Sequence, residues 1–209
     1  VGECVAAKAV LPLLRHAFPE LPCVLTTVTE TGQATARSIA SSLADAITYH
    51  PADFSWVVAR FLDVYRPRIF VIMETELWPN AIEQAASRGA LVVLANGRIS
   101  EKSFASYRRL RRVFRRPLGP IGAFCMQSAD DAQRIVEIGA PPERVHVTGN
   151  CKFDVPYVQP DAAQLAHLRE MLGIAPEAPV IVVGSTHPGE EEIALEAFRR
   201  VRERFSDAR

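Results

Sequence analysis

The chain has 209 residues, of which 48% are hydrophobic and 23% charged, so it can bury a sizeable core and is not a disordered tail. Its 24 Lys plus Arg balance 24 Asp plus Glu, which excludes a globally basic nucleic-acid binder and leaves room only for a local basic patch. At roughly 150 residues per domain the length is more than one ordinary domain and less than two.

The elements alternate along the chain. Residues 5–16 read as a helix, 23–28 as a buried strand, 34–43 as a helix, 46–49 as a short strand and 56–65 as a helix. Residues 69–73 (IFVIM) carry no polar side chain. A run apolar on both faces suits a parallel sheet covered by helices on both sides. Residues 79–88 follow as a helix with Pro79 in its first turn, where a missing N–H costs least. Residues 91–95 (LVVLA) form another buried strand, 103–114 a helix, 122–126 a strand, 129–138 a helix stopped by Gly139, and 145–147 a last short strand. About five β-α repeats predict an α/β fold, a doubly wound parallel sheet over residues 1–148. Residues 149–161 carry two prolines and read as a linker. Residues 162–172 then predict a helix, 180–183 (VIVV) a buried strand and 189–205 a long amphipathic helix, the opening of a second domain over 162–209. The chain starts at Val1 inside what reads as a β-α turn. It is therefore expected to be a fragment lacking the first strand.

Ligands of open parallel sheets sit at the carboxyl ends of the strands, so the turns that follow the strands hold the candidates. Glu3 lies where the first helix begins and can complement its dipole or act as a base. Glu74 and Glu76 are two apart and share a face on extended backbone. Asn80 and Arg98 stand in the turns after IFVIM and LVVLA. Lys152 follows the last strand of the first domain. Ser185, Thr186 and His187 open a helix whose N-terminus suits phosphate, although the turn is neither a Walker A loop nor G-x-G-x-x-G. Cys4, Cys23, Cys125 and Cys151 form no C-x-x-C pair. His187 lacks a second histidine at H-E-x-x-H spacing, and no metal is expected. No apolar run reaches the ~18 residues of a membrane span.

Residues 107–116 (YRRLRRVFRR) hold six arginines, Arg108, Arg109, Arg111, Arg112, Arg115 and Arg116. With Leu110, Val113 and Phe114 on one side they predict a basic amphipathic helix, either a solvated face or a surface for anionic headgroups.

Taken together, Val1-Gly2-Glu3, Thr26 to Gly32, Met73-Glu74-Thr75-Glu76-Leu77-Trp78-Pro79-Asn80, Ala95 to Ser100, Thr148 to Asp154 and Ser185 to Glu191 resemble the 3-deoxy-D-manno-octulosonic acid (Kdo) transferases of lipid A assembly. The M-E-T-E-L-W-P-N run is the most specific part. The resemblance implies a GT-B glycosyltransferase in which two Rossmann-like domains face a cleft. The N-terminal domain (1–148) takes the lipid acceptor and the C-terminal domain, truncated here at 162–209, the donor CMP-Kdo. It further implies an inverting transfer of Kdo to a lipid A precursor (lipid IVA) in lipopolysaccharide biosynthesis. The resemblance also implies that the transfer takes place at the cytoplasmic face of the inner membrane, with an anchor expected outside this fragment.

By the same resemblance Glu3 is the general base, Glu74 and Lys152 stabilise the transition state, and Ser185, Thr186 and His187 contact the donor. Glu76, Asn80, Arg98, Arg108 and Arg112 fall on the acceptor or membrane side. The implied partners are the lipid A precursor, CMP-Kdo and an anionic membrane surface, with no cofactor, metal or nucleic acid, and the fragment alone is expected to be inactive. The turn around Glu30 and Gln33 departs from the family's Pro and basic residue. Another GT-B nucleotide-sugar transferase or epimerase, or a non-catalytic Rossmann-like binding module, is the alternative reading.

Overall fold

The computed structural model describes residues 2–155 and 159–209; residue 1 and residues 156–158, the latter within the expected linker, lie outside the description. Two compact units result, Val1–Pro156 and Tyr157–Arg209.

The first unit runs α1 (Gly2–Ala17), β1 (Val24–Thr27), α2 (Glu30–Ala40), β2 (Ala46–Tyr49), α3 (Ser55–Tyr65), β3 (Ile69–Met73), α4 (Pro79–Ser87), β4 (Leu91–Gly97), α5 (Glu101–Arg109), α6 (Arg111–Leu118), β5 (Ala123–Met126), α7 (Ala129–Ile138) and β6 (Val145–Val147). Short 3-10 turns lie at Pro142–Arg144 and Cys151–Asp154. Every pairing is parallel, as the two-sided apolar runs require. The ladder is in two parts, β3-β4-β5-β6 and β1-β2. Among the described residues nothing joins β1 to β3. Both strands instead line a groove of about 420 Å³ along their whole lengths.

The larger core sits on the four-stranded part. Val58, Leu62, Ile82, Val92, Leu94, Phe124, Met126, Ile135 and Ile138 are at most 1% exposed. At about 1.5–3 kcal/mol per fully buried large side chain, this cluster outweighs the small one beneath α1 and α2, formed by Ala7, Leu11 and Ala40.

Capping explains where helices begin. Thr29 Oγ1 accepts from the Gly32 N–H at 3.0 Å, so α2 starts four residues earlier than the apolar pattern predicts. The α4 start has no cap from its own N-cap residue, Trp78; Asp53 supplies it from a distant loop, accepting from Asn80 N at 3.1 Å and Ala81 N at 2.9 Å.

Two expectations are corrected. Residues 103–114 are not one helix: the chain breaks at Leu110 between α5 and α6. Like charges four apart, at Arg108 and Arg112 and again at Arg111 and Arg115, oppose one continuous helix there. Leu110 and Val113 are exposed rather than packed, and only Phe114 joins the core. In the second unit, residues 180–183 form no strand, and Val182 is 86% exposed. Among the described residues no partner strand offers them a ladder; the backbone is held only near its start, by Ile181 N to Arg209 O at 2.8 Å and Arg209 N to Pro179 O at 3.0 Å. The unit's two helices, α8 (Ala162–Met171) and α9 (Glu190–Arg204), match the expected ones within two residues at either end.

Candidate functional site

The carboxyl ends of β3, β4 and β6 deliver the polar residues to one edge. Past Met73 the backbone turns left-handed at Glu74, with φ 58°. Its N–H donates to Ala95 O at 2.8 Å, the last step of the β3–β4 ladder. The turn after β6 then carries Lys152, whose Nζ donates to Glu74 Oε1 at 2.5 Å. The two side chains come from residues 78 apart in sequence, and both are about one quarter to one third exposed. A charge-assisted hydrogen bond of this kind holds a cation at a defined place while a ligand can still reach it.

Helix α1 brings the third member. Its first turn carries Glu3, and a Cβ built on the neighbouring Gly2 would lie 3.3 Å from Lys152 Nζ. The helix N-terminus therefore abuts the ammonium, and glycine is the residue that lets it come so close. Two thiols fix this approach. Cys4 Sγ donates to Gly32 O and Cys151 Sγ to Ala6 O, each at 3.6 Å. They tie α1 to α2 and to the lysine turn, roles that the sequence alone did not signal.

Glu76 completes the cluster. Partial burial pushes its carboxyl above the ordinary range, and the nearby carboxylates of Glu3 and Glu74 push the same way, against one hydrogen bond from Trp78 Nε1 at 3.4 Å. Glu3, Glu74, Glu76 and Lys152 thus share one corner, three acids and, among the described residues, one lysine ammonium. Such a set can remove a proton from a hydroxyl and neutralise a nearby anion. Among the described residues no group of three or more His, Cys, Asp or Glu could hold a metal ion.

The other candidates fall elsewhere. The Asn80 amide is committed to Asp53, donating to its carbonyl at 2.7 Å. Arg98 is exposed; its backbone N–H and C=O both bond the Thr75 hydroxyl, which locks the turn after β4 to the turn after β3. The Arg108 guanidinium lies over the Phe104 ring at 5.4 Å, and Arg112 is exposed. In the second unit, Ser185 has φ 57°. Thr186 Oγ1 donates to Glu191 Oε1 at 2.5 Å, and His187 N to Glu190 Oε2 at 2.9 Å. The thiol-linked α1 contacts and the buried Asn96 at the β4 end are the parts of the corner that sequence reasoning missed. Asn96 stands in the Ala95 to Ser100 run, but its 4% exposure appears only in three dimensions.

Residues 1–155 match the family model described as 3-deoxy-D-manno-octulosonic-acid transferase (kdotransferase). The chain is 30% identical over 201 residues to the 3-deoxy-D-manno-octulosonic acid transferase of Haemophilus influenzae, covering 95% of this chain and 46% of that protein. It is 30% identical over 202 residues to the enzyme of the same name from Chlamydophila psittaci, covering 97% and 46%. A bifunctional glycosyltransferase/methyltransferase of Fusobacterium nucleatum is 35% identical over 156 residues, covering 75% and 24%. The chain thus spans about half the length, or less, of these curated relatives. Among solved structures, UDP-GlcNAc 2-epimerase from Neisseria meningitidis bound to UDP-GlcNAc superposes with a TM-score of 0.65 at 13% identity, covering 99% of this chain and 61% of that one. At that identity the likeness speaks for the GT-B-type α/β fold alone.

Proposed function

This chain belongs to the 3-deoxy-D-manno-octulosonic-acid (Kdo) transferase family, and on that premise we propose that its protein moves Kdo from CMP-Kdo to a hydroxyl of a lipid A precursor (lipid IVA) with inversion. The Glu74–Lys152 ion pair at the N-terminus of α1 carries this reading. An alcohol is a poor nucleophile. Glu3 takes its proton as the oxygen attacks the anomeric carbon, and the bond from that carbon to the CMP phosphate breaks on the opposite face, its electron pair leaving with CMP. One base suffices, and no covalent intermediate forms. Lys152 supplies positive charge for the departing phosphate or the Kdo carboxylate. Glu74 orients that ammonium and favours a cationic sugar centre.

Residues 1–148 serve the acceptor, 149–161 link, and 162–209 begin the donor domain, with Ser185, Thr186 and His187 toward CMP-Kdo. Glu76, Asn80, Arg98, Arg108 and Arg112 belong to the acceptor or membrane side. The site of action is the cytoplasmic face of the inner membrane. No helix among the described residues is long and apolar enough to cross it. The exposed arginines of α5 and α6 provide attraction to anionic headgroups.

The test is transfer by the full-length protein from CMP-Kdo to tetraacylated lipid A precursor. Glu3→Ala is expected to lower kcat by a hundredfold or more, within the range of general-base catalysis. Absence of transfer by the parent, or a parental rate in Glu3→Ala, rejects the assignment.

A further inference from the structure

We propose that Asn96 is the positioning residue for Lys152; the proposal rests on the catalytic reading of the Glu74–Lys152 pair. Asn96, next to last in β4, lies in the left-handed region at φ 55°, a conformation that asparagine tolerates better than most side chains. It is 4% exposed. Its Oδ1 accepts from Cys151 N–H at 3.1 Å, across 55 residues of chain. Gln127 Nε2 braces its carbonyl at 3.0 Å.

The lysine turn, Cys151–Asp154, is a single 3-10 turn whose first N–H groups have no partner within it. Asn96 Oδ1 satisfies the first. Asn150 Oδ1 satisfies the second, accepting from Lys152 N–H at 3.1 Å. Both halves of the ion pair therefore hang from consecutive residues of one strand end: Glu74 from the carbonyl of Ala95, Lys152 through the amide of Asn96.

The amide orientation is forced. Only oxygen can face the Cys151 N–H, so Nδ2 must point the other way, where it is buried with no hydrogen-bond partner among the described residues. An unpaired buried donor destabilises the fold. Glycine would accept the same backbone angle and carry no orphan donor. What it would lack is the acceptor for the turn, and that acceptor is the function assigned to Asn96 here.

The test uses the full-length protein and five variants. Asn96→Gly keeps the backbone conformation and removes the acceptor. Cys151→Pro removes the donor from the other side, in a position preceded by extended backbone, as proline requires; because it also removes the thiol contact to Ala6 O, Cys151→Ala, which keeps the N–H, is its control, and Cys151→Pro is expected to be the slower of the two. Asn96→Asp keeps the acceptor and puts a second buried oxygen where the orphan donor stood. Mispositioning of a group that acts mainly in the transition state lowers kcat more than it raises KM. Asn96→Gly and Cys151→Pro are thus expected to lower kcat at least about tenfold with KM within about threefold, and to speed amide exchange in residues 150–154. Asn96→Asp is expected to restore both.

A parental kcat in Asn96→Gly overturns the proposal, as do equal losses in Asn96→Gly and Asn96→Asp. If Asn96→Gly does not fold, Cys151→Pro decides: a parental kcat there overturns the proposal equally. Lys152→Ala separates the two levels. If it retains the parental rate, the catalytic reading fails and takes this inference with it; if it is slow while Asn96→Gly is not, only the positioning role fails.

Discussion

His50 shows how a single side chain can couple this unit to pH without touching the acid cluster. Its ring packs near Trp78 at 5.5 Å, and near Phe61 and Phe70. Its Nδ1 lies 3.4 Å from Thr26 Oγ1, and its Nε2 is buried with no partner among the described residues. Burial lowers its pKa below the ordinary histidine value, with Asp53 opposing weakly. The folded state therefore favours the neutral ring. The stabilisation is complete above the unfolded value, about 6.5, and is lost as pH falls through the depressed folded value. Thermal melts between pH 7.5 and 5 are expected to show a falling midpoint, and His50→Phe, which cannot titrate, is expected to flatten that dependence. Equal slopes in parent and variant would show that another group is responsible. Nothing in the local sequence, Tyr49-His50-Pro51, signals this role. The aromatic neighbours arrive from α3, β3 and the turn before α4.

At the level of elements, the division of the sheet has a measurable consequence. Residues of β4 are paired on both sides, by β3 and β5. Among the described residues, β1 and β3 are each paired on one side, and both face the same groove. Unpaired strand edges leave backbone groups to water and to local opening. Amide exchange is expected to be at least about tenfold faster in peptides covering Val24–Thr27 and Ile69–Met73 than in one covering Leu91–Gly97. Uniform protection across all three would mean that the groove is filled in solution. The sequence made the strands legible because IFVIM and LVVLA are apolar on both faces. It could not make their neighbours legible, since pairing depends on which strands are present to fill each edge. The same reason explains residues 180–183, which have a strand's composition and, among the described residues, no strand to meet. Helix starts were missed where the cap was a threonine inside a turn-like run, as at Thr29, or came from another loop, as with Asp53. The polar ends of the strands were legible because parallel topology sends every carboxyl end to one edge. The contacts that bind them together, Cys151 to Ala6 and Asn96 to Cys151, span 145 and 55 residues and leave no local trace.

On the scale of the whole molecule, net neutrality conceals segregated charge. Acidic and basic side chains balance at 24 each, yet six arginines fall within residues 108–116. Not all of them are equally available. Arg116 pairs with Glu83 at 3.0 Å, and Arg115 packs against Gly139, whose missing side chain would come within 3.4 Å of it. Arg108 rests over Phe104 but remains exposed, and Arg112 is exposed. The break at Leu110 matters here, because it presents the arginines from two short helices rather than along one continuous apolar-backed cylinder. Leu110 and Val113 are left at the surface, 52% and 65% exposed. Cations beside two exposed aliphatic side chains are the surface on which the proposed attraction to an anionic bilayer is tested. Each basic residue near such a bilayer contributes about 1 kcal/mol at low salt, so reversing two of them should cost tenfold or more in vesicle affinity. Arg108→Glu combined with Arg112→Glu is the informative pair, since neither residue belongs to an ion pair that holds the fold. In co-sedimentation with phosphatidylglycerol-containing vesicles the variant is expected to bind more weakly than the parent at low ionic strength. The difference should shrink as salt rises and the screening length falls from about 10 Å toward 3 Å. Equal binding at low salt would assign these arginines to solvent and leave membrane attraction to some other part of the protein.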